Sequence, residues 1–340
     1  AVDVLMLRQV RDGGRLAAPA PLEAAALREA ATFVSFCSLL RGTAPDVYGE
    51  KFMKIGFWGA GTMGSCLARN LLKQGLDVVI YSRSAEKALS LAKEGPKGSG
   101  TDKRLDLVPC DVLFTCLALP EHVRAGFLNE GSLYDGMPEG SVHVECSTID
   151  PVLAEELASA AQMRGIGYVQ STLGKTPQAA SASAEPMFVG GGENAVKKVW
   201  SLLETIGRPG NVHSVAASCA VKLISNLVGM TNLAVLAEGL RLGRTAGLDM
   251  KQLLELLTDT GARSFQMDVR GPWIAGSDFS PRFALTLAHK DLRLGTDMAH
   301  KWKESVPLFD AARMLFSAAE TQGLGDEDCA AVMKLNEHDS

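Results

Sequence analysis

Lys222 is a candidate for acid/base chemistry in this sequence. It lies in VKLISN, where Val221, Leu223 and Ile224 surround it with apolar side chains. Burial among apolar groups lowers the pKa of a lysine towards neutrality, so Lys222 could protonate an oxygen whose carbon receives a hydride. Asn226 follows one helical turn later on the same face, where its amide could orient a hydroxyl or carbonyl group. The alternative is a lysine that snorkels its ammonium out of a buried helix.

A glycine cluster at residues 59–64 is the second chemical feature, because it can bind a cofactor. GAGTMG matches GxGxxG, follows the apolar run KIGFW and opens a helical pattern. In a strand–turn–helix unit the three glycines allow a tight turn, close approach of a pyrophosphate and close helix packing. The helix N-terminus adds N–H donors and a partial positive charge. The pattern alone also fits a plain turn, but its context predicts a dinucleotide site. The expected contacts are Gly59, Ala60, Gly61, Thr62, Met63 and Gly64.

The end of the second predicted strand indicates which dinucleotide binds. NAD enzymes place Asp or Glu there to bind the ribose 2′-hydroxyl, but this chain has Ser82, Arg83 and Ser84. An arginine between two hydroxyl groups can hold a 2′-phosphate. We therefore expect NADP(H) as the preferred cofactor. NAD(H) stays possible, since Arg83 could also be a solvated loop residue.

Strands and helices alternate from Lys54 onward, which indicates the fold class. Strands are predicted for KIGFWG, LDVVIYSR, CDVLFTCLAL, GSVHVECST, GIGYVQS, EPMFVGG and RPGNVHSV. Strands separated by single helices imply a parallel sheet with crossover helices. After about residue 216 only helical patterns remain, and the first of them is apolar enough to be buried. We predict an α/β fold with a Rossmann-type doubly wound parallel sheet at residues 52–214. An all-α domain follows at residues 215–336, with a long interdomain helix.

The composition argues against several classes of function. The chain has 340 residues, a hydrophobic fraction of 46% and a net charge of −5, so it carries no general basic field for nucleic acid or anionic membrane. We read no apolar run that approaches the ~20 residues needed to span a bilayer. The seven cysteines and six histidines are dispersed, which predicts reduced thiols and no metal site. We expect a cytoplasmic protein without nucleic-acid or membrane partners.

Residues 1–51 differ in composition from the rest of the chain. They are rich in Ala, Leu and Arg, but acidic residues nearly balance the arginines, unlike a transit peptide. We expect a poorly ordered extension with a short helix near residues 21–40. A chain that starts at Met53 should keep its activity. If the extension is instead a targeting segment, the compartment is mitochondrial or plastid.

Four blocks, in order, resemble the β-hydroxyacid dehydrogenase family, which includes 3-hydroxyisobutyrate dehydrogenase and the glyoxylate/succinic semialdehyde reductases. They are IGFWGAGTMG, ECSTIDP, VKLISN and HKDLRL, and the resemblance covers about residues 53–334. YSRS also resembles the Asn-Arg-Thr tip of NADPH-preferring members. The resemblance implies that Lys222 is the general acid/base, that Asn226 is a substrate ligand, and that Lys290 and Asp291 lie near the cofactor. Further cofactor contacts are expected from Leu117, Ala118, Leu119 and Thr148, and substrate contacts from Ser147 and Thr148.

One block departs from the family pattern. Where the family usually has Asp-Ala-Pro-Val-Ser-Gly-Gly at the substrate carboxylate, this chain reads QSTLGKT at residues 170–176. Ser171, Thr172 and Lys175 still offer donors, and Lys175 adds a charge suited to a carboxylate. The acidic residue is replaced by Gln170. The substrate is therefore expected to differ from the usual small 3-hydroxy acids.

The leading hypothesis is an NADPH-dependent oxidoreductase that interconverts a small aldehyde or keto acid and its hydroxy acid. The buried-looking helix after residue 216 predicts a homodimer or homotetramer. Two alternatives are an imine reductase-like enzyme and a non-catalytic NADP-binding scaffold. Relatives of both kinds usually lack the lysine, so Lys222 argues against them.

Overall fold

An eight-stranded sheet forms the first part of the protein, in the strand order β3-β2-β1-β4-β5-β6-β7-β8. The computed structural model describes residues 53–335, so the predictions made for residues 1–51 lie outside the described residues. The strands are β1 (Lys54–Trp58), β2 (Asp77–Tyr81), β3 (Gly98–Thr101), β4 (Val112–Thr115), β5 (Val142–Glu145), β6 (Gly167–Leu173), β7 (Pro186–Gly191) and β8 (Arg208–His213). Strands β1 to β6 pair in parallel. This arrangement confirms the Rossmann-type doubly wound sheet.

Helices cover both faces of the sheet. They are α1 (Thr62–Lys73), α2 (Ala85–Ala92), α3 (Pro120–Phe127), α4 (Pro151–Gln162), α5 (Pro177–Ser181) and α6 (Glu193–Ile206). One apolar core lies between the sheet and the helices α1, α2 and α6, and another lies between the sheet and α3 and α4. Both faces are therefore buried, which explains why the central strands read as continuous apolar runs rather than as an alternation.

The sheet differs from its prediction at two strands. The sequence reading missed β3, because GSGT contains two glycines and no bulky residue. Strand β7 runs antiparallel to β6, whereas an all-parallel sheet was expected. The connection between them contains only the five-residue helix α5, which rises roughly 8 Å and cannot return the chain along a seven-residue strand of about 23 Å.

A helical part follows the last strand, as predicted. Its helices are α7 (Val215–Thr245), α8 (Met250–Thr258), α9 (Phe265–Ala275), α10 (Leu285–Lys301) and α11 (Pro307–Ala319). Helix α7 contacts α4, β6 and β7 near its start and α9, α10 and α11 further along. The sheet and these helices form one compact unit. The domain boundary at residue 215 therefore stays a prediction, although α7 begins there.

Helix α7 contradicts the expectation that no apolar run in the chain approaches the length needed to span a bilayer. Its 31 residues include an 18-residue window of mean hydropathy 1.5, which is long and apolar enough to cross a bilayer. Length and composition are weak evidence for a membrane span, because a long helix that joins two apolar cores passes the same test. The contacts of α7 with both parts of the described chain fit that second interpretation.

Candidate active site

The glycine turn after β1 has the geometry of a phosphate cradle. Gly59 has a φ of +118°, and a Cβ there would lie 2.3 Å from the Cys116 carbonyl oxygen. A Cβ on Gly64 would lie 1.9 Å from the Gly59 carbonyl oxygen. Gly61, by contrast, is exposed and has nothing within 4 Å of a Cβ position. The turn therefore needs glycine at positions 59 and 64 for close packing, while Gly61 leaves open space for a ligand.

The N-terminus of α1 faces this open space. Gly61 caps the helix without a side-chain hydrogen bond, and the first turn contains no acidic residue. The first N–H groups are therefore free to bind an anion, and the positive end of the helix dipole favours one. Thr62 is exposed, Met63 is half-buried and Ala60 is buried in the turn. The predicted cofactor residues at 59–64 thus fit a pyrophosphate.

The tip of β2 lies next to the glycine turn, because β1 and β2 are paired neighbours. Arg83 is exposed there. Ser84 caps α2 by accepting a hydrogen bond from the N–H of Lys87, and its own O–H stays available to donate. Ser82 is half-buried beside them. A cavity of about 420 Å³ adjoins the turn, and Lys87 lines it together with Gly61 and Thr62. The sequence reading missed Lys87, which adds a second cation at this end.

Two loops meet at the carboxyl ends of β4 and β5. The N–H of Leu117 donates to the Ser147 hydroxyl at 2.7 Å. The Lys290 ammonium donates to the carbonyl oxygens of Ala118 at 3.1 Å and Thr148 at 3.4 Å. The structure therefore brings together the predicted residues at 117–119, 147–148 and 290. Leu119 closes the first loop as the residue that caps α3.

Four polar side chains form a series of two hydrogen bonds and one ion pair between α7 and α10. The Lys222 Nζ donates to Asn226 Oδ1 at 3.2 Å, and Asn226 Nδ2 donates to Asp291 Oδ2 at 2.5 Å. The other Asp291 oxygen lies 2.9 Å from the Lys290 Nζ. The series therefore joins the predicted acid/base to the lysine that contacts both loops. The packing of α10 against α7 closes it.

The electrostatics of this series suit proton transfer. Burial lowers the pKa of Lys222, the carboxylates of Asp291 and Glu185 raise it, and the Lys290 charge lowers it again, with a net lowering. A lysine with a lowered pKa can give up a proton more readily than a solvated one and can also take one back. Asn226 orients the ammonium through its carbonyl oxygen. The arrangement can therefore serve as a general acid or, after deprotonation, as a general base.

The segment that departs from the family pattern is largely buried. Ser171 is 0% exposed and shares a strand face with Val169 and Leu173, which belong to the core under α1. The Thr172 hydroxyl donates to the Ser218 carbonyl of α7 at 3.0 Å. The substrate contacts of Ser171 and Thr172 therefore stay predictions. Lys175 is exposed and keeps its predicted role as a candidate.

The position of Ser147 is relevant to the prediction that this residue contacts the substrate. Its hydroxyl accepts from Leu117, and its N–H donates to Glu145 Oε1 at 2.7 Å. Ser147 is 2% exposed. In this structure it holds a loop, so its substrate contact stays a prediction, as does that of Thr148, which is half-buried beside it.

Sequence reasoning missed several buried polar residues near the site. Glu185 is 0% exposed, accepts the N–H of Lys175 and has its pKa raised by burial and lowered by the nearby Lys222 charge. Gln170 donates to the carbonyl oxygens of Glu145 at 3.1 Å and Ser147 at 3.2 Å, so it braces the backbone. The only available signals were a polar residue within an apolar strand pattern for Gln170 and a polar residue just before such a pattern for Glu185.

Comparison with known proteins shows what this chain is similar to. Residues 54–222 match the family described as the NAD binding domain of 6-phosphogluconate dehydrogenase. Residues 216–336 match the family described as NAD-binding of NADP-dependent 3-hydroxyisobutyrate dehydrogenase. The two matched regions together extend from β1 to the end of the described residues.

Individual relatives are similar to this chain over most of its length. The chain is 30% identical to 2-(hydroxymethyl)glutarate dehydrogenase of Eubacterium barkeri, over 84% of this chain and 95% of that protein. It is 28% identical to the chloroplastic glyoxylate/succinic semialdehyde reductase 2 of Arabidopsis thaliana, over 87% and 83% of the two chains. The crystal structure of 3-hydroxyisobutyrate dehydrogenase from Salmonella typhimurium superposes with a TM-score of 0.77 at 25% identity, over 83% and 99%.

Proposed function

Because the chain belongs to the β-hydroxyacid dehydrogenase family, we propose that it reduces a small aldehyde or keto acid with NADPH, using Lys222 as the general acid. The relatives indicate that the protein is an oxidoreductase of CH–OH groups that uses a nicotinamide cofactor and a small-molecule substrate. The observation that supports NADPH-dependent reduction with Lys222 as the general acid is the Lys222–Asn226–Asp291–Lys290 series.

The proposed mechanism assigns a step to each part of this series. When bound, the nicotinamide supplies the hydride. Lys222 protonates the oxygen of the former carbonyl as negative charge develops there. Asn226 holds the ammonium through its Oδ1 and is itself held by Asp291. In the reverse direction the neutral Lys222 accepts the hydroxyl proton, and its lowered pKa increases the fraction of the enzyme in which this lysine is neutral.

The cofactor site is proposed to prefer the phosphorylated dinucleotide. The free N–H groups at the start of α1 suit the pyrophosphate. Arg83 is exposed at the tip of β2, Lys87 lines the cavity beside the turn, and residues 82–84 contain no carboxylate to bind a ribose 2′-hydroxyl. The match to a family described as NADP-dependent agrees with this preference.

The substrate is proposed to carry a carboxylate. Lys175 is exposed near the buried Glu185, whose pKa responds to both Lys175 and Lys222. Hydroxymethylglutarate and succinic semialdehyde, in the names of two relatives, are acids with a carbon chain between the functional groups. Lys175 stands where the family pattern has a glycine, and its positive charge suits the carboxylate of such an acid.

We also propose that the protein is a homodimer or homotetramer. Ile224, Val228, Val235 and Leu242 lie along one face of α7 and are 49%, 45%, 64% and 72% exposed. Their spacing of four and seven residues forms one apolar stripe. A second copy of the chain could bury this stripe.

A turnover screen tests the proposed function. Glyoxylate, succinic semialdehyde, tartronate semialdehyde and methylmalonate semialdehyde are each supplied with NADPH and with NADH, and a cyclic imine serves as the comparison substrate. We expect turnover of at least one aldehyde with a preference for NADPH. Reduction of the imine alone would contradict the proposal, and a preference for NADH would contradict the role of Arg83 and Lys87.

A further inference from the structure

Glu145 lies directly beneath the two loops of the cofactor site. It is the last residue of β5 and is 0% exposed. Its Oε1 accepts the N–H of Ser147 at 2.7 Å, and its Oε2 accepts the hydroxyl of Thr115 at 2.7 Å. The Ser147 hydroxyl accepts the N–H of Leu117 at 2.7 Å. One carboxyl group therefore supports both loops through Ser147.

A buried hydrogen-bonded chain leads to Glu145 from the other side. Because Thr115 donates its proton to Glu145, its oxygen must accept from His143 Nε2, which lies 2.8 Å away. Burial lowers the pKa of His143 to about 3, so the imidazole is neutral and carries one proton. His143 Nδ1 then accepts from the Tyr134 hydroxyl at 2.8 Å. Every donor in this chain points towards the carboxylate of Glu145.

We propose that Glu145 is a positioning residue of the cofactor site, whose negative charge holds the loops at residues 116–119 and 147–149 in the arrangement that binds the nicotinamide end. This inference rests on the proposed function, since it presupposes that a nicotinamide cofactor binds there. Lys290 contacts the same two loops at the carbonyl oxygens of Ala118 and Thr148. The Glu145 carboxylate and the Lys290 ammonium would together fix the loops.

The charge of Glu145 should change within the physiological pH range. Burial raises its pKa to about 7, although hydrogen bonds from Ser147 and Thr115 lower it. The carboxylate accepts the Ser147 N–H and the Thr115 hydroxyl at once. A protonated carboxyl must point its own proton at one of these donors, so it holds the loops less well.

The other titratable groups around Glu145 keep their charge state near pH 7. His143 is neutral there, because burial lowers its pKa to about 3. Burial raises the pKa of each thiol and phenol that senses the Glu145 charge, so these groups stay protonated. They are Cys116, Tyr134, Cys146, Tyr168 and Cys219. The Lys290 side chain contacts the two loops at Ala118 and Thr148.

Equilibrium binding of NADPH between pH 6 and pH 8 tests this inference, with wild type, Glu145→Gln and Glu145→Asp. The Kd of the wild type should rise about tenfold more than that of Glu145→Gln from pH 8 to pH 6, because the ionised fraction of a group with a pKa near 7 falls about tenfold. Glu145→Gln should bind NADPH weakly at pH 8. Its Kd should change with pH only because the NADPH 2′-phosphate titrates, with a pKa of about 6. Glu145→Asp, which keeps the charge, should restore part of the pH dependence.

The matched control is Glu204→Gln, which changes an exposed glutamate that bonds to Trp200 on α6. It should bind as the wild type does. The inference is overturned if Glu145→Gln binds NADPH as tightly as the wild type at pH 8, or if the two proteins show the same pH dependence. If Glu145→Gln does not fold, wild type and Glu145→Asp are compared instead. The inference is then overturned if, from pH 8 to pH 6, the Kd of neither protein rises beyond the change caused by titration of the NADPH 2′-phosphate. A wild type that binds neither NADPH nor NADH at any pH overturns the proposed function, which is a separate and recognisable result.

Discussion

The glycine turn and the Lys222 centre are two active-site regions built in opposite ways. The turn is local: Gly59, Gly61 and Gly64 lie within six consecutive residues, and its shape depends on the absence of side chains. The centre is assembled from distant residues, because Asn226 and Asp291 are 65 positions apart on two different helices. A local backbone motif is visible in the sequence, whereas a charge network exists only after the helices pack.

Replacing Lys222 with Met should have the largest effect on activity. The variant keeps most of the length of the side chain but cannot transfer a proton, so kcat should fall by roughly 10²- to 10⁴-fold. NADPH binding, measured by fluorescence titration, should stay within about twofold of wild type, because the Lys222 ammonium bonds to Asn226 on its own helix and not to the glycine turn. Unchanged turnover would remove Lys222 from the mechanism. The exposed Lys73→Met at the end of α1 is the control.

Two glycine substitutions should separate packing from ligand binding within the turn. Gly64→Ala places a methyl group 1.9 Å from the Gly59 carbonyl, so we expect the free energy of unfolding to fall by about 3 kcal/mol. Gly61→Ala meets nothing within 4 Å and should leave stability within about 1 kcal/mol of wild type, while weakening NADPH binding. Chemical denaturation and NADPH titration measure the two effects. Equal loss of stability in both variants would show that the turn is not built as described.

Glu145→Gln should stabilise the protein at alkaline pH even if it weakens cofactor binding. Burial raises the folded-state pKa of Glu145 to about 7 from its usual value of 4.5, so its contribution to stability is fully present below pH 4.5 and is lost as the pH rises through 7. The variant, which stays neutral, should gain up to roughly 3 kcal/mol at pH 8 and little at pH 5. Denaturant unfolding at both pH values measures this difference. A variant that is less stable at pH 8 would show that the hydrogen bonds to Glu145 outweigh the cost of burying its charge.

Arg83→Ala should have the smallest effect and should be confined to one cofactor. Loss of one exposed charge-assisted hydrogen bond is expected to raise the KM for NADPH by about tenfold and to leave the KM for NADH unchanged. Steady-state kinetics with both cofactors measures this preference. Arg263→Ala, which changes an exposed arginine paired with Asp268 in the helical part, is the control. An equal change for both cofactors would mean that Arg83 does not contact the 2′-phosphate.

Most of the fold could be predicted because its signals are local. Buried strands, the glycine turn and the helix start at Ser84 each depend on residues within a few positions of one another. Strand β3 was missed because its glycines carry no strand signal. The direction of β7 was missed because it depends on how far the short helix α5 can carry the chain.

The candidate site was predicted unevenly for the same reason. Lys222 and Asn226 share one helix, so their proximity follows from helical spacing. The burial of Ser171 depends on which face of β6 meets the core. The support of Ser147 by Glu145 depends on the side-chain geometry at the end of β5, which sequence spacing does not describe.

The sequence by itself determined the phosphate turn, the alternation of strands and helices, and the pairing of Lys222 with Asn226. Each of these depends on backbone geometry over at most a few turns of chain. Only the tertiary structure decided that Asp291 completes the Lys222 series, that Lys290 contacts both loops, and that Glu145 lies buried beneath them. The hydrogen bonds and pKa values of buried groups depend on which distant elements pack around them and exclude water. Residue order alone does not specify which elements pack together.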